Sequence, residues 1–184
     1  MRPKVKFLEN NLIEQIISEA IQILCSLGIE IHNSEILSLL SDYGAKIDIN
    51  NFHVKFTEEI IDKAIKSAPS SFKLYDIYGN EANDLSGYNI NFTPGSAALH
   101  ILDYNTQEIR NPTTENYINY AKIVNQLKYI ASQSTAFIPS DVNEKISDSY
   151  RLFLSLLYCK KPVITGAFRI ESFEVMKKML NSKK

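Results

Sequence analysis

The first part of the chain carries apolar residues with the period of an amphipathic helix. Between residues 12 and 27 they recur every three or four positions, which predicts one long helix. Asn10 or Asn11 is placed to cap that helix, and Gly28 supplies the left-handed residue that ends it. The pattern therefore predicts a helix that covers most of the first 28 residues.

Shorter segments with the same helical period follow. Asn33 caps a second predicted helix, and Thr57 caps a third that cannot extend past Pro69. Between these helices, Asn50-Asn51 separates two short extended runs and predicts a β-hairpin. We expect an N-terminal region of helices with short hairpin strands.

Strands and helices alternate in the second half of the chain. Extended runs are predicted at residues 88–92, 129–138 and 162–165, and each is followed by an amphipathic helix, at 113–127, 146–157 and 173–180. Such alternation is typical of parallel β/α units, of which a complete TIM (β/α)8 barrel needs eight. The sequence therefore predicts an α/β fold with a helical region at 1–87 and about three β/α units, an incomplete barrel, at 88–184.

Composition and charge exclude several classes of function. The chain has 184 residues, of which 45% are hydrophobic, so it can bury a core, and its net charge of -1 argues against a nucleic-acid partner. No apolar run approaches the length of a membrane span. The two cysteines, Cys25 and Cys159, lie far apart without metal-like spacing, so we expect reduced thiols, no bound metal and a cytoplasmic location.

The ends of the predicted strands provide the candidate site residues, because active sites of β/α barrels lie at the carboxyl ends of the strands. After the first strand come Thr93, Gly95 and Ser96, where glycine admits a close approach and serine offers a hydroxyl. The alternative is a tight turn that leads into the next strand. After the third strand come Thr165 and Gly166, which leave room for a ligand or let strand and helix pack closely.

An acidic residue follows the second predicted strand. Asp141 could attract a cationic substrate by charge, or it could cap the helix that follows it. Nothing else in the sequence resembles an acid-base pair, an activated nucleophile or a phosphate-binding loop. The sequence motifs alone therefore do not name a catalytic residue.

The order and spacing of these features resemble the trimethylamine methyltransferase family of corrinoid-dependent enzymes, including its glycine betaine branch. The resemblance extends from about residue 12 to residue 168 and is carried by Gly28, Gly44, Ala68-Pro69-Ser70-Ser71-Phe72, Pro94-Gly95, Leu102-Asp103 and Lys161-Pro162. It implies a (β/α)8 barrel with an extra N-terminal region. It also implies methyl transfer from trimethylamine, glycine betaine or a related amine to a corrinoid (cobalamin) that a partner protein carries, so that this chain itself binds no cofactor.

The implied substrate directs attention to aromatic residues. A fully methylated ammonium group has no N–H to donate, so proteins recognise it through aromatic faces and diffuse negative potential. Phe92, Phe137 and Phe168 fall near predicted strand ends and could line such a site. The alternative for each is a place in the core, since aromatic residues mostly bury area.

Members of the family are longer than this chain, which resembles only their first part. We expect the chain alone to be inactive and its last strand edge to favour a homo-oligomer or a complementing C-terminal half. The alternative is a noncatalytic binding or assembly module, or a remnant of such an enzyme. The resemblance does not choose between the pyrrolysine branch and the other branch.

Overall fold

The computed structural model describes residues 5–181 and has a mixed α/β architecture, with six α-helices and several small sheets in that range. The chain divides into two compact units, Met1–Pro69 and Ser70–Lys184. The sequence predicts that the β/α units begin after residue 87. That boundary is a different quantity from the division after Pro69, and it stays a prediction. Within residues 5–181, no helix combines the length and the apolar character needed to cross a membrane.

The first unit places three helices around a three-stranded antiparallel sheet. The helices are α1 (Asn10–Ser26), α2 (Ser34–Asp42) and α3 (Glu58–Ser67), and the strands are β1 (Ile29–Glu30), β2 (Lys46–Asp48) and β3 (His53–Lys55). Strand β3 lies between β1 and β2, so the predicted hairpin is confirmed and has one further strand beside it. The buried core of this unit is small and apolar, formed by Leu37, Ala45 and Val54.

Two of the three predicted caps in this unit are confirmed. The side chains of Asn33 and Thr57 accept hydrogen bonds from backbone N–H groups at the starts of α2 and α3. The predicted cap at Asn10 or Asn11 is wrong, because Glu9 occupies the cap position and makes no side-chain bond there. The side-chain oxygens of the two asparagines are used elsewhere, by the Lys6 ammonium and by the N–H of Leu12.

Gly28 ends α1 as predicted, and the structure adds a second reason for glycine there. Its φ is +79°, in the left-handed region, and a Cβ at this position would lie 2.1 Å from the carbonyl oxygen of Val54. Glycine is therefore required at the end of α1, because the carbonyl of Val54 leaves no room for a side chain.

The second unit contains two antiparallel hairpins and a parallel pair of strands. The hairpins are β4 (Lys73–Tyr75) with β5 (Glu81–Asp84) and β6 (Ile101–Leu102) with β7 (Ile109–Arg110); the parallel pair is β8 (Gln133–Ser134) with β9 (Val163–Ile164). The helices are α4 (Thr114–Gln126), α5 (Ser147–Tyr158) and α6 (Ile170–Asn181). The predicted parallel arrangement is therefore present between β8 and β9.

Strand and helix alternate in this unit, but the sheet is less regular than predicted. The run at 88–92 contributes only an isolated parallel bridge between Phe92 and Ile130, and β8 is much shorter than the predicted run at 129–138. Five residues beyond the first run, Ala97 has a φ of +62°, so the chain is not continuously extended between Phe92 and Ala98. The described residues form no closed barrel.

Two apolar clusters anchor the helices of the second unit. One cluster is formed by Tyr117 of α4, by Phe137, which follows β8, and by Leu154 of α5. Leu152 and Leu156 of α5 with Met176 of α6 form the other. Helix α5 contributes to both clusters, so it is the central helix of this unit.

Candidate functional site

Three segments of the second unit lie side by side, each at or next to the end of a predicted strand. The N–H of Ala131 donates to the carbonyl of Phe92 at 2.8 Å, and the N–H of Ala98 donates to Ala136 at 2.8 Å. On the other side, the N–H of Gln133 donates to Pro162 at 2.8 Å. We call residues 92–97, 135–137 and 165–168 the strand-end region. Ala98 pairs with Phe137 near the end of the second run, whereas Phe92 pairs with Ile130 near the start of that run, so Phe92 lies at the opposite end of the paired segments.

Short hydroxyl side chains link the segments of this region. The Thr93 and Ser132 hydroxyls form a hydrogen bond, and Ser96 Oγ donates to the carbonyl of Thr135 at 3.3 Å. The hydroxyls of Thr135 and Thr165 are 3.1 Å apart, within hydrogen-bonding distance. The predicted site residues Thr93, Ser96 and Thr165 thus take part in contacts that hold neighbouring segments in register.

Open space lies next to both glycines of the region. A Cβ added to Gly95 or to Gly166 would meet no atom within 4 Å, whereas the carbonyl of Gly95 is held by Ser134 Oγ at 2.7 Å. The backbone is therefore fixed while the space beside it stays free. The left-handed φ of Ala97 lies in the same segment, and such backbone strain is frequent at binding sites.

The three phenylalanines differ in their surroundings. Phe92 and Phe168 are 62% and 61% exposed, whereas Phe137 is 8% exposed. The Phe137 ring packs against Tyr117 and Tyr120, with ring centroids 5.3 Å and 5.4 Å apart. Phe137 therefore has the core position that the sequence allowed as an alternative, and the exposed aromatic faces belong to the other two rings.

Asp141 is exposed and bonded to a helix distant in sequence. Its Oδ1 accepts hydrogen bonds from the N–H of Thr114 at 2.9 Å and from the Thr114 hydroxyl at 3.0 Å, so it sits at the N-terminus of α4. The predicted alternative, a cap on the following helix, is wrong, because Asn143 caps the next helical turn. A carboxylate at the positive end of α4 is favourable, and substrate binding by Asp141 stays a prediction.

The sequence patterns missed two charged residues that the structure buries. Asp148 and Arg151 on α5 are each 1% exposed and form an ion pair of 2.8 Å. Their spacing of three residues on a helix was a signal of an ion pair. Periodicity assigns charged positions to the solvent side, however, so nothing in the pattern indicated that this pair is buried.

Other buried polar groups lie near the same strand. Both polar atoms of the Gln133 amide are buried without a hydrogen-bond partner among residues 5–181. The Tyr117 hydroxyl is bonded to Ser155 Oγ at 2.7 Å, and burial raises the pKa of Tyr117 so that it stays protonated. Burial also raises the pKa of the Cys159 thiol, which argues against a reactive thiolate at that position.

Metal ligands are not grouped in the part of the chain that the structure covers. Within residues 5–181, no three His, Cys, Asp or Glu side chains come together as a metal site would require. The exposed ring of Phe92 lies beside Ile130 at the opposite end of the paired segments. What the strand-end region offers is therefore a surface of small residues, hydroxyls and the exposed ring of Phe168. Such a surface can bind and orient a small molecule.

Comparison with known proteins assigns the family. The trimethylamine methyltransferase (MTTB) family matches residues 1–181. A glycine betaine methyltransferase of Desulfitobacterium hafniense is 27% identical over 155 residues, 84% of this chain and 32% of that protein. The trimethylamine methyltransferase MttB of another strain of that species is 24% identical over 164 residues, 88% of this chain and 33% of that protein.

The chain spans about a third of the length of these curated relatives, 32% and 33%. The match covers both compact units, since it begins in Met1–Pro69 and runs to residue 181 in Ser70–Lys184. The resemblance found in the sequence is thereby confirmed: the chain belongs to the trimethylamine methyltransferase family.

Proposed function

We propose that this chain is part of a methyltransferase that takes a methyl group from a methylated amine and passes it to a corrinoid protein. Family membership supports the reaction class. The two relatives are named for trimethylamine and for glycine betaine, which supports the methylated amines as the substrate class. The partner, the activity of this chain and its substrate are part of the proposal, because the chain matches only about a third of each relative, 32% and 33%.

The observation that carries the proposal is the strand-end region. Three neighbouring segments run side by side, with α4 and α5 as the intervening helices and α6 after the last. We propose that they are the first three β/α units of a (β/α)8 barrel. Their carboxyl ends would then form part of the active-site mouth, where substrates of such barrels bind.

The surface of this region suits a methylated ammonium group. Such a group is attracted to aromatic faces and needs few hydrogen-bond donors, and Phe168 is the exposed ring that follows the carboxyl end of β9. A role for Phe92 stays a prediction, because that residue pairs with Ile130 at the other end of the segments. The space beside Gly95 and Gly166 would admit the methyl groups. The hydroxyls of Thr93 and Thr165 are turned toward neighbouring segments, so they would shape the site more than contact the amine.

In this proposal the protein binds and orients the amine, and the corrinoid supplies the cobalt nucleophile from the partner. Holding the two reactants in line can provide much of the rate acceleration. A side-chain nucleophile is therefore unnecessary. This division of work is compatible with the absence of a metal-ligand cluster in residues 5–181.

The experiment is a methyl-transfer assay with the protein as its source cells produce it. Trimethylamine and glycine betaine are offered with reduced cobalamin, and methylcobalamin formation is followed by absorbance. Gly95→Val should abolish transfer by filling the open space, Gly95→Ala should reduce it less, and both variants should keep the native circular dichroism. Full activity of Gly95→Val would contradict the placement of the site, and inactivity of the unmodified protein with every methylated amine would contradict the function.

A further inference from the structure

Helix α5 carries a charged pair that is isolated from solvent and directed at the strand-end region. Arg151 Nη2 lies 2.8 Å from Asp148 Oδ1, and both side chains are 1% exposed. Burying two charges costs several kcal/mol per ion before their attraction compensates, and apolar residues of similar size often stabilise a fold as well or better. Stability alone is therefore a weak reason for this pair.

Two further polar atoms of the pair bond to residues just beyond two strands. Arg151 Nη1 donates to the carbonyl of Thr135 at 3.0 Å, just beyond β8. Asp148 Oδ2 accepts from the N–H of Phe168 at 2.7 Å, in the segment between β9 and α6. The pair thus connects the second and third segments of the strand-end region through α5.

The same pair also sets the orientation of an exposed ring. The Arg151 guanidinium carbon lies 4.9 Å from the centroid of the Phe168 ring. A guanidinium stacked on one face leaves the other face of the ring available, and the Phe168 residue is 61% exposed. Asp148 therefore contacts the main chain of Phe168 and Arg151 contacts its ring, and both contacts come from the buried side.

One atom of the arrangement is left without compensation. Arg151 Nε is buried and has no hydrogen-bond partner within the described part of the chain. An unsatisfied buried donor destabilises the folded state. The unpaired Nε indicates that the guanidinium is oriented for its contacts with Thr135 and Phe168, and not so as to give every N–H of Arg151 a hydrogen bond.

We propose that Asp148 and Arg151 are positioning residues that hold segment 165–168 at the strand-end region and present the outer face of Phe168 to the substrate. The assignment of an amine substrate to that face rests on the proposed function. The pair acts through Phe168, and its charges are shielded from the amine by the ring and by the main chain.

The local part of the proposal is tested by amide hydrogen exchange, measured by NMR. Asp148→Asn keeps the shape of the side chain but replaces one carboxylate oxygen by a nitrogen that cannot accept a bond. The amide of Phe168 should exchange about tenfold faster, as expected for loss of a charge-assisted hydrogen bond. The amide of Ser140, bonded to the carbonyl of Pro112 at 2.9 Å, is the internal control and should be unchanged.

Two results would overturn the local part. One is an unchanged exchange rate at Phe168, and the other is equal acceleration at Phe168 and Ser140, which would mean general destabilisation. If Asp148→Asn does not fold, Phe168→Trp serves instead, since the chain contains no other tryptophan. Its fluorescence anisotropy should fall when Arg151→Lys removes the planar stacking group, and an unchanged anisotropy would count against the proposal.

A separate measurement concerns the substrate. Binding of trimethylamine and of glycine betaine is measured by calorimetry on Asp148→Asn and on the unmodified protein, as its source cells produce it. About tenfold weaker binding by the variant is expected if the Phe168 face contacts the amine, in line with one lost charge-assisted bond. Equal binding would remove the substrate role of the pair. If the unmodified protein binds neither amine, the proposed function fails, whereas the exchange result still decides whether the pair holds the segment.

Discussion

The two compact units bury different kinds of side chain. In the first unit, the buried residues among those described are Leu37, Ala45 and Val54, all of them apolar. In the second unit, apolar clusters occur together with ten buried polar or charged residues: Asn83, Ser132, Gln133, Ser134, Thr135, Ser147, Asp148, Arg151, Ser155 and Ser172. Four of these follow one another along the chain, from Ser132 to Thr135.

The difference shows where geometry is constrained. An apolar core tolerates exchanges of similar volume, whereas a buried polar group needs particular partners at particular distances. The polar groups of the second unit bond mainly to main chain and hydroxyls at the strand ends, such as the carbonyls of Gly95 and Thr135. We therefore expect substitutions in the second unit to affect the shape of the site, and substitutions in the first unit to affect stability alone.

The largest effect is expected from breaking the buried ion pair. Arg151→Met leaves the Asp148 carboxylate buried without its partner and should lower the free energy of unfolding by about 3–5 kcal/mol. The matched control is Lys66→Met in the first unit, where the exposed Lys66–Asp62 pair is 3.7 Å apart and is worth about 0.5 kcal/mol or less. Urea unfolding followed by circular dichroism measures both.

The double variant Asp148→Leu with Arg151→Met refines this test. Because both charges are removed, most of the lost stability should return, although the double variant also loses the hydrogen bond to the Phe168 amide, which Arg151→Met keeps. Equal losses in the single and the double variant would contradict the view that the unpaired charge is the cause.

A second large effect is expected at the end of α1. Gly28→Ala adds a Cβ 2.1 Å from the carbonyl oxygen of Val54 in a left-handed conformation, and should cost about 3 kcal/mol. Gly44→Ala has the same kind of backbone, with a φ of +91°, but meets no atom within 4 Å and should cost about 1 kcal/mol. The difference between the two melting temperatures isolates the steric contribution, and equal shifts would show that the backbone conformation alone matters.

The first unit also shows how far sequence reasoning extends. Its helices, its hairpin, the caps Asn33 and Thr57 and the stop at Gly28 follow from local rules, because each depends on neighbours in sequence. The closeness of Val54 to Gly28 does not, since it depends on pairing between β1 and β3. Local chemistry therefore predicts the elements, and tertiary contacts add the constraints on single positions.

In the second unit, the sequence indicates the candidate segments but not the polar contacts that connect them. The runs at 88–92, 129–138 and 162–165 are predicted from the alternation of strands and helices, and main-chain hydrogen bonds do join the first run to the second and the second to the third. The contact of Asp141 with Thr114 spans 27 positions, and the bond from Phe168 to Asp148 spans 20. A periodic pattern contains no information on such polar contacts, because it assigns every charged residue to solvent.

A smaller effect is expected at the end of α4. A lysine side chain binds the carbonyls near that end, whereas the end of α1 lies against the backbone of Val54. The Lys161 ammonium donates to the carbonyls of Val124, Leu127 and Ile130 at 2.7, 2.6 and 2.5 Å. Lys161→Met should cost about 1–3 kcal/mol, the usual range for hydrogen bonds from a charged donor. The control Lys128→Met removes only an ammonium near the Tyr129 ring, at 5.5 Å, and should change stability by less than about 1 kcal/mol. Equal melting temperatures of the two variants would show that the contacts of Lys161 with the carbonyls do not stabilise the fold.

The smallest effect compares one carboxylate in each unit. Hydrogen bonds from Asn51 lower the pKa of Asp48 in the first unit, and hydrogen bonds from Arg110 lower the pKa of Asp103 in the second. A carboxyl group with a lowered pKa in the folded state stabilises it above the unfolded pKa, and this contribution disappears as the pH falls through the folded value. For both residues the change therefore falls on the acid side, below about pH 4.

Asp48→Asn and Asp103→Asn should each lower the melting temperature slightly near pH 7, and each difference from the unmodified protein should vanish in strong acid. Salt should separate the two. Asp103 lies 2.8 Å from the guanidinium of Arg110, so screening should reduce its contribution, whereas the main partner of Asp48 is an uncharged amide. Melting curves of both variants at low and at high sodium chloride make the comparison. Equal salt sensitivity would mean that long-range charge, and not the nature of the hydrogen-bond partner, lowers the pKa of both carboxyl groups.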